Sequence, residues 1–433
     1  MAGERLSDTE ALMWSIERDP VLRSSFLNVT FLDRPPDVDR FRRRMGHAAT
    51  RMTRLRQRID ANHWVDDPDF DLDYHVRHTA LPAPGTDRQL LDDAALGYQD
   101  AFDPARPLWQ LTIVEGLTGG RAALLAKMHH TITDGVGGVR MSAMFLDLER
   151  DGPDEPPLDP GDGREAGGGG GGPGVLDAVR RTVGDVVSGV RDPIGTARSM
   201  SRQLLVTDAS HSPLWRGKRS MGRRFDVLRV DLERAKSAAA ALGGTLNDLY
   251  VTGVAGGVGD YHRAQGAPVD ELRMSMPIST RRDKSAGGNA FAPSRILVPV
   301  GITDPVERFA AVRARIGEVK GDRALSMAGS LTGILTGLPS PLLLRLARSQ
   351  VETVDFACSN VRGAPFDLFV AGARVEANHP MGPTAGTACN VTLLSYCGSM
   401  DIGVNSDTAA VEDPAALRDA IENALHETIA AAS

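Results

Sequence analysis

The sequence lacks the features of several common protein classes. Its 433 residues contain three cysteines and no Cys-x-x-C pair, which argues against a disulfide framework and suits a reducing compartment. A net charge of −7 gives no basic footprint for nucleic acid. No uncharged apolar stretch approaches the roughly 20 residues of a membrane-spanning helix. Charged residues occur throughout positions 1–20, so no signal peptide is predicted there and we expect a cytoplasmic protein.

Familiar catalytic signatures are missing as well. There is no Gly-x-Ser-x-Gly elbow, so the sequence shows no serine nucleophile of the hydrolase type. There is no Gly-x-x-x-x-Gly-Lys loop for a nucleotide phosphate. The histidines outside positions 129 and 130 form no set with the spacing of metal ligands, and we expect no metal.

The chain length predicts two domains. The clearest boundary is 151–174, which contains Pro156-Pro157 and six consecutive glycines at 167–172. Such a segment cannot bury enough apolar surface to offset its ordering entropy, so we expect a flexible linker. An apolar pattern at helical spacing over 175–203 predicts a connecting helix. The expected organisation is therefore an N-terminal half (1–150), a linker with a connecting helix (151–215) and a C-terminal half (216–433).

Helices and strands alternate loosely in both halves, which favours an α/β fold without fixing its topology. Further strands are predicted at 223–230, 272–276, 295–300, 353–358 and 387–395. Further helices are predicted at 232–242, 249–262 and 414–431, the first of them stopped by Gly243-Gly244.

The most informative segment is His129-His130-Thr131-Ile132-Thr133-Asp134-Gly135. The apolar run 122–126 before it predicts a buried strand, and a helix is predicted after it, through Met144 to Glu149. Because neighbouring strand residues point to opposite faces, the two imidazoles cannot easily chelate one ion. One imidazole can face a reaction centre while the other packs into the fold, which favours a general base over a metal site.

His-His-x-x-x-Asp-Gly is the signature of CoA-dependent acyltransferases and peptide-synthetase condensation domains. Within that superfamily the chain resembles the bacterial wax ester synthase/diacylglycerol acyltransferase family, because further blocks occur in that family's order across nearly the whole sequence. These blocks lie at 6–11, 107–109, 244–248, 276–281, 288–289, 358–363 and 390–398.

The resemblance implies two similar α/β halves of the chloramphenicol acetyltransferase type, with the active site and a tunnel at their interface. It implies transfer of a long-chain acyl group from acyl-CoA to diacylglycerol, to a long-chain alcohol or to both. Acyl-CoA would be a substrate, no cofactor is implied, and the protein could associate peripherally with the inner membrane face or lipid droplets. An alternative is a condensation-type acyltransferase with a carrier-protein-bound donor, and a third hypothesis is a non-catalytic binding module.

The resemblance implies that His130 is the general base. For His129, a hydrogen-bonded place in the core is favoured over a second base. Asp134 is implied to pair with an arginine and shape the site, and Arg56 and Arg281 are both candidate partners. Gly135 is expected to serve the backbone, through a positive φ or a close approach of the acyl donor.

For Asn247 and Asp248 a structural role is favoured over substrate contact, because Thr245 and Asn247 can both cap the helix that follows. Four other residues are candidates for substrate contact, on a strand beside the histidines, in a Gly/Pro-rich loop or on a late strand: Trp109, Ser359, Asn360 and Ser395. Trp109 is favoured as core, and Ser395 is a candidate donor to the oxyanion of the tetrahedral intermediate.

Departures from the family pattern leave the choice of substrate open. They are Met13-Trp14 in the opening segment, Tyr250 with several glycines after it, and Arg362 in place of a proline. The apolar stretch 331–346 is also ambiguous. A buried helix pair broken at Pro339 and Pro341 is favoured there over contact with lipid or with an acyl tunnel.

Overall fold

The computed structural model describes residues 3–132, 142, 145–152, 211–279, 291–321 and 340–432. Several expectations lie outside these residues. They concern Asp134, Gly135, Arg281, most of the glycine-rich linker, the connecting helix and Pro339.

The described strands are β1 (Glu4–Arg5), β2 (Ser25–Leu32), β3 (Gln57–Asp60), β4 (His63–Asp66), β5 (Val76–Ala80), β6 (Trp109–Leu117), β7 (Arg121–His129), β8 (Arg223–Asp231), β9 (Glu271–Ser279), β10 (Phe291–Pro299), β11 (Phe356–Arg362), β12 (Phe369–Val370), β13 (Ala373–Met381), β14 (Cys389–Tyr396) and β15 (Ser399–Asp407). The described α-helices are α1 (Asp8–Ile16), α2 (Val38–Arg51), α3 (Leu72–His75), α4 (Asp87–Gln99), α5 (Leu232–Ala241), α6 (Leu246–Ala264), α7 (Pro305–Gly321), α8 (Ser340–Val351) and α9 (Pro414–Ala430).

Two six-stranded sheets dominate the described part of the molecule. The first has the order β12-β13-β2-β7-β6-β5 and the second the order β10-β9-β11-β14-β15-β8, while β1, β4 and β3 form a small third sheet. The expected mixed α/β fold with two sheet-rich halves is confirmed. The first sheet, however, takes β12 and β13 from the late part of the chain, and β13 pairs antiparallel with β2.

The strand that leads to the histidines is buried on both faces. Ala122, Leu124 and Ala126 pack into one apolar cluster, whereas Ala123 and Leu125 pack into another on the opposite side. A strand covered on both faces reads as a continuous apolar run, which is why this segment was predictable. β7 ends at His129, so the two histidines lie where the strand becomes a turn.

The helices of the second half begin and end as their sequences predict. α5 is followed by Gly243 at φ +74°, a left-handed conformation that glycine adopts without strain. Thr245 and Asp248 form a reciprocal capping box at the start of α6. A side chain at Gly257 would collide with the backbone of Ile421 in α9, so the glycines after Tyr250 serve close helix packing.

The predicted strands and helices of the second half are confirmed in type. Three other predictions, the first of them in the N-terminal half, are corrected. The helix predicted through Glu149 is wrong over 145–149, because Asp147 forms a β-bridge with Phe369 instead. Strands β13 and β15 were not anticipated. α8 begins at Ser340, so Pro341 lies in its first turn, where proline is tolerated, and does not break it. Leu342 and Leu346 are exposed, so the expectation of a buried helix is wrong for these two residues.

Candidate functional site

His129 is locked inside the first half. Its side chain is 0 % exposed, and Nε2 lies 3.0 Å from Oε2 of Glu17. Nδ1 lies 2.7 Å from Oγ1 of Thr131 and accepts a bond from the Thr131 backbone N–H at 3.2 Å. The indole of Trp14 meets the imidazole edge-on, with ring centroids 6.0 Å apart.

These contacts define the hydrogen-bonding role of each ring nitrogen of His129. A backbone amide can only donate, so Nδ1 carries a lone pair and Nε2 carries the proton. The Nε2–H therefore donates to the Glu17 carboxylate in a charge-assisted hydrogen bond. Because the basic nitrogen is occupied and the ring is buried, His129 cannot act as the general base in this geometry.

His130 faces a different environment. Its backbone N–H donates to the Ser24 carbonyl at 3.1 Å, and its ring lies 4.8 Å from the Phe26 ring, centroid to centroid. The side chain lines a large internal cavity. One imidazole thus packs into the fold while its neighbour lines a cavity, and that this cavity is a reaction centre stays a prediction.

The cavity has a volume of about 520 Å³, within the range of sites that hold small organic ligands. It lies between the two large sheets. The wall from the first sheet includes Phe26, Asn28, Asn378 and Pro380, and the wall from the second includes Ser275, Arg295, Ser359 and Thr392.

One part of this cavity is apolar. Its lining side chains also pack against the apolar core of the first half, and they are Phe26, Leu146, Val361, Ala364, Leu368, Leu394 and Tyr396. Since Phe26 contacts the His130 ring, the imidazole lies beside this apolar surface. A hydrocarbon chain bound there would be removed from water close to the candidate base.

Another part is polar. Register places Arg295 opposite Ser275, Ser275 beside Ala357 and Ala357 beside Asn390, so these residues form a row across four strands. Arg295 donates to Oε1 of Gln350 at 2.8 Å. Of the described residues that line the cavity, Arg295 alone carries a permanent charge. Burial, together with nearby Arg273, lowers the pKa of the Arg295 guanidinium.

Two of the predicted substrate-contacting residues, Ser359 and Asn360, line the cavity with His130. Nδ2 of Asn360 donates to Oδ1 of Asn247 at 3.3 Å, which links the start of α6 to the cavity wall. Asp248 instead bonds Thr245 in the capping box. Thr245 is therefore the N-cap, as predicted. The prediction is wrong for Asn247, which lies inside the helix and contacts a residue of the candidate site.

The structure does not bring Trp109 or Ser395 to the cavity. Trp109 is buried, donates from Nε1 to the Leu55 carbonyl and stacks on His75 with centroids 4.4 Å apart, which is the favoured core role. Leu394 and Tyr396 line the cavity, and alternation along β14 turns Ser395 away from it. Its hydroxyl lies 3.4 Å from the Gly363 backbone nitrogen.

Arg56 lies on a short 3₁₀ turn, where its carbonyl accepts from Asp67. Whether it or Arg281 meets Asp134 stays a prediction, since Asp134 and Arg281 lie outside the described residues. A buried carboxylate that the sequence did not single out is Asp147. It binds Arg44 at 2.5 Å and Arg40 at 3.2 Å.

Three residues that precede β2 also belong to the site. The sequence analysis gave none of them a role there. Met13 and Ser24 line the cavity, and Glu17 holds His129. Met13 and Trp14 were noted only as departures from a family pattern. Nothing in the local pattern of Glu17 distinguishes it from a solvated helix-end carboxylate, because its partner lies 112 residues away.

In the described part of the chain, no three or more histidine, cysteine or acidic residues are grouped so that they could hold a metal ion. None of the described helices combines the length and apolar character needed to cross a bilayer.

Two family models match the chain. The wax ester synthase/diacylglycerol acyltransferase catalytic domain matches residues 6–250, and the C-terminal domain of the same family matches residues 287–428. A Mycobacterium tuberculosis protein provisionally named diacylglycerol O-acyltransferase is 37 % identical over 462 residues, covering 99 % of this chain and 92 % of the relative. A provisionally named Mycobacterium bovis diacylglycerol O-acyltransferase is 30 % identical over 373 residues, covering 79 % of this chain and 78 % of the relative.

Solved structures share the fold. The wax ester synthase/diacylglycerol acyltransferase of Marinobacter aquaeolei superposes with a TM-score of 0.68 at 21 % identity, covering 99 % of both chains. The first condensation domain of the calcium-dependent antibiotic synthetase superposes with a TM-score of 0.65 at 15 % identity, covering 100 % of this chain and 97 % of that one.

Proposed function

Because the chain belongs to the wax ester synthase/diacylglycerol acyltransferase family, we propose that it transfers a long-chain acyl group from acyl-CoA to diacylglycerol, a long-chain alcohol or both. His130 is the proposed general base. The observation that carries this assignment is the contrast between the two histidines: His129 is buried with its basic nitrogen occupied, whereas His130 lines the cavity.

The chemistry requires concerted rather than complete deprotonation. With water as proxy, the pKa of an alcohol lies about nine units above that of imidazole. A free alkoxide would therefore cost about 12 kcal/mol at 1.36 kcal/mol per unit. His130 instead accepts the hydroxyl proton while the oxygen attacks the thioester carbonyl.

The remaining step returns that proton. The tetrahedral intermediate collapses as the carbon–sulfur bond breaks, and the His130 imidazolium protonates the leaving sulfur, so that an ester and free CoA are formed. No covalent acyl-enzyme and no cofactor are needed. The apolar part of the cavity, which includes Phe26, Leu394 and Tyr396, would hold an alkyl chain beside the reacting atoms.

A condensation-type reaction with a carrier-protein-bound donor is the alternative that shares this fold. Acyl-CoA is preferred as the donor because both family models that match the chain describe acyltransferases of lipid type. A non-catalytic binding module is disfavoured by the presence of His130 in a cavity large enough for a ligand.

We also propose that the protein reaches its lipid acceptor by peripheral association with a membrane or lipid droplet. The supporting observation is α8, in which Leu342 is 52 % and Leu346 37 % exposed. Exposed Arg345 lies between them on the same helix, and the far end of α8 contributes Gln350 and Val351 to the cavity wall. Apolar and basic side chains together are suited to a lipid interface.

The proposed function is tested by thiol release from palmitoyl-CoA, measured without acceptor and with dioleoylglycerol, hexadecanol or glycerol. Release that depends on dioleoylglycerol or hexadecanol supports the assignment, and the ratio of the two rates gives the acceptor preference. Release that occurs only when the acyl group is carried on an acyl-carrier protein would favour the condensation-type alternative. No transfer from either donor would contradict an enzymatic role.

A further inference from the structure

Glu17 follows α1 directly and reaches the histidine turn from a distant part of the chain. Its side chain is 14 % exposed. A single oxygen, Oε2, accepts both the His129 Nε2–H at 3.0 Å and the backbone N–H of Ser24 at 3.0 Å. The other oxygen, Oε1, lies 3.9 Å from Nε of Arg23.

These bonds continue to His130 by two routes. The backbone N–H of Ser24 donates to Glu17, and the backbone carbonyl of Ser24 accepts the His130 N–H at 3.1 Å. On the other side, His129 is covalently joined to His130 and is held by Glu17 through its ring. Glu17 therefore fixes the backbone on both sides of His130 without touching the cavity.

We infer that Glu17 is a positioning residue for the proposed acyl transfer: through His129 and Ser24 it holds His130 where its imidazole can reach the acceptor hydroxyl. The inference rests on the proposed function. It assigns to Glu17 a geometric task, performed by one hydrogen-bonding oxygen, rather than an electrostatic one. The second oxygen contributes less, because the bonds to His129 and to Ser24 are both made by Oε2, and the charge only strengthens those two bonds.

This distinction gives opposite expectations for two substitutions. Glu17→Gln retains an oxygen that can accept both bonds, whereas Glu17→Ala removes them. Because a displacement of about 1 Å can lower turnover by about 100-fold, we expect Glu17→Ala to lower kcat by about that factor. Glu17→Gln should retain kcat within about threefold, since it keeps both hydrogen bonds while losing only their charge assistance.

Kinetics are measured on the full-length protein with palmitoyl-CoA and the better acceptor, and Glu307→Gln is the matched control on the exposed surface of α7. A positioning role predicts that KM for palmitoyl-CoA changes little in both Glu17 variants. It also predicts that the acid limb of the pH–kcat/KM profile stays in place in Glu17→Gln. Rates are corrected for the folded fraction, determined by urea titration.

A second readout does not depend on turnover. In protein labelled with ¹⁵N-histidine, His129 should give the signals of a neutral ring with its proton on Nε2, in the wild type and in Glu17→Gln. In Glu17→Ala the Nε2–H loses its acceptor while Thr131 still donates to Nδ1, so the tautomer should stay but the Nε2–H resonance should shift and exchange faster with water.

The inference is overturned if folded Glu17→Ala retains wild-type kcat, or if Glu17→Gln and Glu17→Ala lose equal activity, which would make the charge decisive. It is also overturned if the chemical shift and the exchange rate of the His129 Nε2–H are unchanged in Glu17→Ala. A wild type that shows the His129 signature but transfers no acyl group would instead refute the proposed function on which the inference rests.

Discussion

The two six-stranded sheets are alike in size and differ in how the chain supplies them. The second sheet is built from strands that lie between residues 223 and 407, whereas the first combines strands between 25 and 129 with β12 and β13, at 369–381. Strand β13 also brings Asn378 and Pro380 to the cavity wall. The candidate site therefore has contributions from the C-terminal half on both of its sides.

The late strands also complete the core of the first half. Val375 is buried in the cluster that contains Trp109 and Leu124, and Met381 is buried in the cluster on the other side of the sheet. Because buried apolar area is the main source of stability, we expect that the two sequence halves do not fold independently of each other.

The largest effect is expected when the two halves are separated, because the first sheet then loses its late strands. A fragment of residues 1–152 should fail to unfold cooperatively, because β2 becomes an open edge and its clusters lose the residues of β12 and β13. Co-expression with residues 211–433 should restore a cooperative urea transition, followed by near-ultraviolet circular dichroism. A cooperative transition in the isolated fragment would show that the late strands are dispensable for the first sheet.

Asp147 tests the connection between the first half and β12 more gently. Its carboxylate binds Arg40 and Arg44, and its backbone exchanges two hydrogen bonds with Phe369. Asp147→Ala removes a buried anion from two arginines, so we expect a loss of about 3–5 kcal/mol in the free energy of unfolding. Exposed Asp93→Ala is the control and should stay within about 0.5 kcal/mol. Equal urea midpoints for the two variants would show that the contacts of Asp147 do not stabilise the fold.

Acidification should weaken both halves by a smaller amount. Burial lowers the pKa of His75 in the first half, of His262 in the second and of His379 on the shared strand β13. Their stabilising effect is complete above the unfolded pKa of about 6.5 and declines as the pH falls towards the lowered folded values. Each histidine can contribute at most about 1.4 kcal/mol per pH unit.

This expectation is checked by urea titrations at pH 7, 6 and 5, which should show a falling midpoint. His379→Gln should lower the midpoint at pH 7 and flatten its dependence on pH. A midpoint that does not change between pH 7 and 5 would show that the three rings are protonated equally easily in the folded and unfolded chain.

The sequence was most informative where one local rule decides the structure. The apolar run before His129 predicts a buried strand, and alternation along a strand then separates the two imidazoles. Thr245 and Asp248 have the spacing of a capping box, and the structure contains that box. In these places no distant residue is needed to explain the local conformation.

Prediction failed where distant partners decide. The segment around Asp147 has helical spacing but pairs with Phe369, because a bridge and two buried arginines outweigh local preference. Strand β13 carries alternating polar residues and Pro380, so its sequence alone did not predict a strand. It is a strand because it pairs with β2. Glu17 gives no local signal, since its role follows only from the contact with His129.

The central claim is that, of the two adjacent histidines, His129 stabilises the fold and His130 acts as the general base. Paired variants test this claim most directly. His130→Ala should lower acceptor-dependent thiol release from acyl-CoA by at least about 100-fold, as expected for loss of a general base, with a near-normal urea midpoint. His129→Ala should lose less activity per folded molecule but about 1–3 kcal/mol of stability, because Glu17 and Thr131 lose a buried partner. Near-full turnover in folded His130→Ala would contradict the account.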